Sequence, residues 1–403
     1  MKQPPSQLRN NYYLLLIICL VAVAQCGFAL YLPSLPAITH VFHASSSEVQ
    51  STVFFYVAGI SVSQWFYGPL SDYYGRRRIA LWGLSLFILG SIIGLFATQL
   101  SFLLYGRGIQ GLGMGAMMTV SRAILRDVFK GKTYVQNASK LASAIAISPV
   151  VFPVLGGYLQ SFWGWRANFA FMLLFSLTVS VGWYVLFIES REHTGNKKMN
   201  IRDILRDYKQ IARSAVFWKN TLCGGLIYSG EVIFLTMAPF LIQQNFHLTA
   251  SFYGWLMFIA VVGFIFGSQA SSYMAQRLKY EYLILTGLFF CFLAVLFLSI
   301  ECLLEAVSII AILSPVSLFM FGAGFVYPNT SVGAIGHFPE KAGTASALLS
   351  SVQGGIALFG TAVILAINSN TLNVLAQSFF VIVLVSSLLG ASIFYQEKNR
   401  ILE

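Results

Sequence analysis

The sequence contains few charged residues, and acidic ones are the scarcest. Only 10% of its 403 residues are charged and 57% are hydrophobic, whereas a soluble domain has about 25% charged residues. So few polar side chains cannot cover a globule in water, which predicts that most of the chain lies in lipid. The five cysteines have neither metal-ligand spacing nor a disulfide framework, so we expect them to act as small hydrophobic residues.

Other absences exclude whole classes of function. No Ser/His/Asp or Cys/His arrangement stands out, and no GxxxxGK[ST] phosphate loop occurs. His40 and His43 are three residues apart but have no Cys, Asp or Glu nearby to complete a metal site. The sequence therefore predicts no enzyme, no direct use of ATP, no metal and no other cofactor.

Apolar runs of membrane-spanning length occupy most of the chain. A spanning helix needs about 20 apolar residues, and runs of that size lie at 12–32, 48–70, 79–97, 101–122, 136–160, 166–188, 218–242, 251–275, 281–301, 306–329, 342–367 and 372–395. This predicts an all-α membrane protein of twelve transmembrane helices in two pseudo-symmetric six-helix bundles, residues 1–188 and 218–403. The first run is too long for the core of a cleaved signal peptide, so we expect it to remain as span one.

Basic residues mark one side of the predicted membrane. If the N-terminus is inside, the opposite loops hold essentially only Arg166, and the cytoplasmic loops hold Arg76, Arg77, Arg78, Arg126, Lys130, Lys132, Arg277, Lys279 and Lys341. This asymmetry predicts that both termini are cytoplasmic. The net charge of +11 then reflects topology and contact with anionic lipid, not nucleic acid. The linker, 189–217, contains a basic segment with helical periodicity at 200–214, expected to lie on the membrane surface.

The loop between spans two and three reads GPLSDYYGRRR at 68–78. Asp72 can pair with Arg76, and Gly75 permits the tight turn between them, which makes a latch that must break when the two halves move. The segment resembles the GxLxDxxGRR loop signature of the major facilitator superfamily. That resemblance implies two bundles that rock about a central binding site.

Two further segments resemble motifs of that superfamily. Residues 107–115, RGIQGLGMG, resemble RxxQGxGxG, in which the arginine is linked to proton transfer; Arg107 could instead extend to the outer interface. Residues 148–157, SPVVFPVLGG, are similar to the antiporter motif GPxxGG of drug:proton exporters. Here Pro149, Pro153, Gly156 and Gly157 would bend the helix and pack it closely, with or without antiport.

Three segments narrow the resemblance to drug:proton antiporters of the Bcr/CflA/EmrD type: YLPSLP at 31–36, RAILRDVF at 122–129 and WGWRANF at 163–169. The resemblance implies a monomer in a bacterial inner membrane, surrounded by the lipid bilayer. Many members carry Asp in span one where this chain has Ala29. A carboxylate for proton coupling must therefore come from elsewhere.

Glu231 is the one acidic residue near the middle of a predicted span, with apolar residues on both sides. A carboxylate there is costly when charged, so it can load and release a proton or pair with a cationic substrate. We expect it to carry proton coupling together with Arg107. The alternative is a structural role, as a partner of Arg107 or of a backbone group.

Substrate contacts are inferred from spans that line the cavity in the resembling family. The candidates are Gln25, Tyr56, Met114, Tyr228, Phe234 and Tyr327. Aromatic and Met side chains suit varied amphipathic ligands. Because such residues are abundant in this chain, packing against lipid or core is an equally good explanation for each one singly.

Taken together, the sequence predicts proton-coupled efflux of small hydrophobic or amphipathic compounds, with protons and a small-molecule substrate as partners. One alternative is a dedicated exporter of an endogenous metabolite, such as a siderophore or amino-acid derivative. A second is a membrane receptor or sensor that does not transport, and a third is uptake by symport. The latch and antiporter segments argue against the last two.

Overall fold

The computed structural model describes residues 6–189, 201–304 and 308–402, and these contain helices and connecting turns but no β-strand. In chain order the helices are α1 Ser6–Ala29, α2 Leu35–Phe42, α3 Ser46–Tyr74, α4 Arg76–Leu95, α5 Leu100–Val128, α6 Gly131–Trp163, α7 Arg166–Leu186, α8 Ile201–Ala212, α9 Ala215–Ala238, α10 Ala250–Met274, α11 Tyr280–Leu303, α12 Ile309–Gly336, α13 Ala342–Ile367 and α14 Leu372–Leu402. A π-helical turn, Pro239–Gln244, extends α9.

The twelve predicted spans correspond to the long helices, which are all those except α2 and α8. Within the described ranges, ten of the long helices are apolar enough to cross a membrane. The other two, α3 and α5, have 29 residues each. They carry polar side chains that are buried against neighbouring helices, among them Gln50 of α3 and Gln110 of α5. The predicted all-helical membrane fold is confirmed.

Helix packing follows the same plan in each half of the chain. In the first half the fourth long helix, α5, packs against α1, α3 and α4, and in the second half its counterpart α12 packs against α9, α10 and α11. Between the halves, α3 packs on α13 and α6 packs on α10. The second long helix of each half therefore packs on the fifth long helix of the other half, an exchange that pseudo-symmetric halves produce.

Glycines allow the long helices to approach closely. A Cβ atom on Gly111 of α5 would collide with the backbone of Tyr56 in α3, and one on Gly267 of α10 would collide with the backbone of Phe321 in α12. Without competing water, such close contact between helix backbones is the main attraction that a membrane bundle has. Gly111 thus brings α5 close to α3, and Gly267 brings α10 close to α12.

The two halves are in contact at the end of the bundle away from the termini. We call the end where α1 begins and α14 ends the terminal face, and the other end the distal face. At the distal face the amide of Gln50 donates to Asn370 Oδ1 at 2.7 Å, and the amide of Gln243 donates to the Pro33 carbonyl at 3.1 Å. Both bonds join the first half to the second, so the distal face is closed.

Helix α8 lies at the terminal face and corresponds to the helix predicted in the linker; residues 190–200 of that linker lie outside the described residues. Its Ile211 is buried among side chains of the second half, and Lys341 Nζ lies 2.6 Å from Asp207 Oδ1. Its Tyr208 hydroxyl donates to the Trp65 carbonyl of α3 at 3.2 Å. The helix therefore contacts both halves.

Candidate functional site

Arg107 lies in α5, about two turns from the distal end, and is completely buried. Its Nη1 donates to the Gly27 carbonyl at 2.7 Å and to Gln110 Oε1 at 2.8 Å. The guanidinium carbon lies 4.6 Å from the ring centre of Tyr31 and 4.1 Å from that of Tyr56. Among the described residues, Nε and Nη2 have no hydrogen-bond partner. Two aromatic faces therefore hold this charge in place of a carboxylate.

Glu231 lies in α9, in a stretch whose other side chains are mostly buried, but Glu231 itself is only half-buried. It interacts electrostatically with Tyr228 of its own helix and with Tyr327 of α12. Within the described ranges, no hydrogen bond or ion pair is made by its carboxylate. A carboxyl group in such a position is free to exchange a proton or to bind a cationic group.

The electrostatic contacts of Tyr228 place Glu231 at the middle of the molecule. Tyr228 interacts with Tyr56 of α3 and Arg122 of α5, both from the first half, as well as with Tyr327 and Glu231 of the second half. We call Arg122, Tyr228, Glu231 and Tyr327 the central cluster. Because its members come from both halves, any relative movement of the halves changes their spacing.

Arg107 and Glu231 do not contact each other. The hydrogen bonds and ring contacts of Arg107 are all made within the first half of the chain. Tyr56, which stacks on Arg107, lies between it and the tyrosines of the central cluster. The structural alternative for Glu231, a partner of Arg107, therefore has no counterpart in this structure.

The predicted substrate-contacting residues divide into two groups. Gln25, Tyr228 and Tyr327 are half-buried, and the rings of the two tyrosines have their centres 6.0 Å apart. The other candidates, Tyr56, Met114 and Phe234, are buried. The Tyr56 hydroxyl lies 3.0 Å from both the Ala24 carbonyl and Met114 Sδ. In this conformation Tyr56 and Met114 support the site of Arg107, and a ligand would reach the half-buried group first.

Arg122 is a member of the central cluster that sequence reasoning did not assign to the site. It is half-buried, and its Nη1 donates to Ser350 Oγ of α13 at 3.1 Å, across the two halves. The signal in the sequence is its position one helical turn before Arg126, which places it that much deeper in the predicted span. The sequence does not show that the Arg122 turn of α5 faces the middle of the molecule. The packing of α13 and α9 beside it does.

The residues of the predicted latch lie at the terminal face, between α3 and α4, and their predicted ion pair is formed. Asp72 Oδ1 lies 2.6 Å from Arg76 Nη2, and Gly75 makes the turn with φ 91° and ψ 152°. Two further acidic groups complete it. Asp127 at the end of α5 lies 2.9 Å from Arg76 Nε. Glu189, after α7, accepts hydrogen bonds from the backbone N–H groups of Arg76 and Arg77 at 3.1 Å each.

The two additional acids were missed because each lies at the end of a predicted span, where charge is ordinary. Their effect is specific, since a carboxylate at the first turn of α4 satisfies N–H groups that have no partner inside the helix. Three carboxylates, one on α3, one on α5 and one just after α7, thus hold one end of α4. A movement of α4 must break several of these bonds together.

The prolines and glycines of the 148–157 segment are placed where two helices meet α6. Pro149 and Pro153 lie inside α6, which continues through both. Gly156 lies against the Leu30 carbonyl at the end of α1, and Gly157 lies against the Ala250 carbonyl at the start of α10. The segment therefore brings the first half and the second half together near the distal face.

Comparison with known proteins agrees with this architecture. The family model described as "Major Facilitator Superfamily" matches residues 17–361. Multidrug resistance protein D of Escherichia coli (strain K12) is 29% identical over 348 residues, which is 86% of each chain. Chloramphenicol resistance protein CraA of Acinetobacter baumannii is 25% identical, over 82% of this chain and 81% of its own. The bicyclomycin resistance protein homolog of Haemophilus influenzae is 23% identical, over 89% and 90%.

Proposed function

The chain belongs to the Major Facilitator Superfamily and is a multi-pass membrane transporter rather than an enzyme, and from that premise we propose that it exports small hydrophobic or amphipathic compounds in exchange for protons. The names of its relatives, which refer to resistance to multiple drugs, chloramphenicol and bicyclomycin, support compounds of this kind as cargo. The substrate would bind between the halves, against the half-buried side chains Gln25, Tyr228 and Tyr327.

The observation that carries the proposal is the position of Glu231. Its carboxyl group is half-buried in the central cluster, with neutral tyrosines beside it and no bonded partner in the described ranges. Protonation removes a charge that is expensive in such a site. Binding of a proton and binding of a substrate with a cationic or hydrogen-bonding group therefore compete for the same carboxyl, which is the basis of exchange.

The orientation we propose places the terminal face in the cytoplasm of a bacterial cell, with the protein in the inner membrane as a monomer. Arg77, Arg126 and Lys341 lie at this face, and Arg166 lies at the distal face. The structure then corresponds to a state closed toward the outside. The latch of Asp72 and Arg76 belongs to the cytoplasmic end. One proton crossing the membrane supplies about 2.3 kcal/mol per 100 mV.

The test uses inverted membrane vesicles that have been acidified inside by respiration. Addition of ethidium or chloramphenicol should release protons from vesicles that contain the protein, because each compound enters the lumen in exchange for protons. Glu231→Gln should abolish this release, since the amide cannot carry a proton between the two sides. Glu340→Gln removes a carboxylate from an exposed loop position and should leave the release unchanged.

Two results would contradict the proposal. One is proton release at the parent rate in Glu231→Gln at equal expression. The other is binding of the compounds by the parent protein without any flux, which is the behaviour of a sensor. A response to a single cellular metabolite, with no response to either drug, would instead favour the dedicated exporter.

A further inference from the structure

Arg122, which is half-buried, differs from the two buried arginines, Arg76 and Arg107, in how its charge is compensated. Arg76 lies beside two carboxylates, Asp72 and Asp127, and Arg107 lies between two aromatic rings. Within the described part of the chain, the one hydrogen-bond partner of Arg122 is a neutral group, the Ser350 hydroxyl. Among the described residues, no carboxylate forms an ion pair with it.

The side chain lies between the two halves. It is half-buried, and its electrostatic contacts are the hydroxyl groups of Tyr228 and Tyr327. These two tyrosines also interact with Glu231. The central cluster therefore has a guanidinium on one side of the tyrosine pair and a carboxyl group on the other.

The separation of the two charges follows from the packing of α9 on α13. A Cβ atom on Gly225 would lie 3.3 Å from Gln353 Cα, and both helices run away from the terminal face. Gln353 of α13 is therefore level with Gly225 of α9. Ser350, the partner of Arg122, is three residues nearer the terminal face than Gln353. It is therefore level with position 222 of α9, which is nine residues before Glu231. At the helical rise of 1.5 Å per residue, the backbone of Ser350, which Arg122 reaches, then lies about 14 Å nearer the terminal face than the backbone of Glu231.

A guanidinium in this position selects for the charge of a ligand. It is planar and always protonated, and it presents five N–H donors in a geometry that matches a carboxylate or phosphate. Ser350 uses one of its nitrogens. A cationic ligand group at this level would be repelled, and a neutral one would gain only ordinary hydrogen bonds.

We infer that Arg122 binds an anionic group of the substrate, so that the cargo includes amphipathic molecules with a carboxylate at one end and, in zwitterions, an amine at the other. This inference rests on the proposed function and specifies its substrate class. The carboxylate binds Arg122 near the terminal face, the apolar body lies between Tyr228 and Tyr327, and an amine reaches Glu231. A separation of about 14 Å between these two backbone levels suits a drug-sized molecule in extended form.

A purely structural role for Arg122 is a poor explanation of the geometry. The bond to Ser350 needs only a neutral donor, which Gln would supply without the cost of a charge in a half-buried site. The positive charge gains stabilisation only when an anion arrives. Arg122 therefore has the features of a substrate-binding residue, whereas Arg126, one turn nearer the terminal face, is exposed.

The experiment compares a ligand acid with its ester. Ciprofloxacin is a fluorescent zwitterion with a carboxylate and an amine, and its methyl ester lacks the carboxylate. Binding of both to the purified protein in lipid nanodiscs is measured for the parent, Arg122→Gln, Arg122→Lys and the control Arg126→Gln. We expect the parent to prefer the acid. Arg122→Gln should weaken acid binding about tenfold or more and change ester binding less than about twofold. Arg122→Lys should fall between, and Arg126→Gln should match the parent.

Three outcomes would overturn the inference: no preference of the parent for the acid, equal losses for acid and ester in Arg122→Gln, or an equal loss of acid binding in Arg126→Gln. Retained ester binding shows that the variant is folded. Ethidium-driven proton release is measured on the same variants in vesicles. If the parent releases protons with ethidium but does not prefer the acid, the inference about Arg122 fails and the proposed antiport stands.

Discussion

Arg107 shows at the residue scale how a charge is kept inside a membrane bundle without a counter-ion. Each ring face supplies about 1–2 kcal/mol, and the two hydrogen bonds of Nη1 supply a similar amount. Against this, removing a guanidinium from water costs several kcal/mol, and Nε and Nη2 lack partners among the described residues. The gain and the cost are of similar size, so a net stabilisation of the fold is not what calls for an arginine at this position.

We therefore predict that Arg107→Met separates stability from transport. Met fills much of the same volume between Tyr31 and Tyr56 and removes the buried charge, so the melting temperature should stay within about 3 °C of the parent or rise. Substrate-driven proton release should be lost if the charge serves coupling. The melting temperature is read from the thermal unfolding of purified protein, and the release is read from vesicles. A fall of more than about 8 °C would show instead that the arginine is structural.

Sequence reasoning found some of these residues and missed others for a physical reason. Glu231 and Arg107 are charges within apolar runs, and such charges are visible without knowledge of the fold. Whether Tyr56 or Phe234 faces an opening or a neighbouring helix depends on which helices pack together. Aromatic residues are so common in this chain that their pattern does not decide it. The position of Arg122 in the central cluster could not be predicted for the same reason, because it depends on the contact between α5 and α13 at Ser350.

At the scale of single helices, α6 illustrates how a motif acts through backbone contact. Gly157 lies against the Ala250 carbonyl of α10, and the Pro153 carbonyl lies against Gly254 of the same helix. Two glycines, one on each helix, thus bring the backbones together where the distal face is closed. The prolines of α6 were predicted as bending points, whereas the partner helix of the glycines was not predictable from the sequence.

We predict that Gly157→Val opens the distal face. Its side chain would meet the backbone of α10, which cannot move aside as the end of a flexible side chain would, so α6 and α10 must separate. Labelling of a cysteine introduced at Ser47, on the distal side of α3, should become several-fold faster from outside. The measurement is made after replacement of the five native cysteines.

Gly182→Val in α7 is the matched control, because nothing lies within 4 Å of a Cβ atom at that position. It should leave the labelling rate and the transport rate at the parent values. Equal labelling of Gly157→Val and the parent would mean that contact between α6 and α10 does not keep the distal face closed.

At the scale of the whole molecule, hydropathy predicted the twelve spans because lipid demands long apolar helices with all backbone groups bonded internally. Hydropathy does not encode which pairs of helices join the halves or which face is closed. Those features depend on few polar contacts, such as Gln50 with Asn370 and Gln243 with Pro33. They also depend on α8, whose contacts with both halves were not predicted.

Helix α8 connects the halves at the face that must change when they rock. Burial raises the pKa of the Tyr208 hydroxyl, which therefore stays protonated as the donor to the Trp65 carbonyl of α3. On the other side Lys341 binds Asp207 and Gln210 of α8. If the first half moves toward the second at the terminal face, α8 cannot keep both attachments. The weaker attachment must then break, and breaking it contributes to the free-energy barrier between the two conformations.

We predict that the ion pair between Lys341 and Asp207 affects the transport rate through this barrier. A partly exposed pair contributes about 0–1 kcal/mol, so Lys341→Asp or Asp207→Lys alone should lower this barrier and raise the rate up to about fivefold. The double exchange should return the rate close to the parent value because the pair re-forms with reversed charges. Lys140→Asp, at an exposed position of α6, applies the same change of charge without this pair and should have no such effect. Additive changes of rate in the double exchange would show that each charge acts separately, for example on lipid, and that α8 is not a connection between the halves.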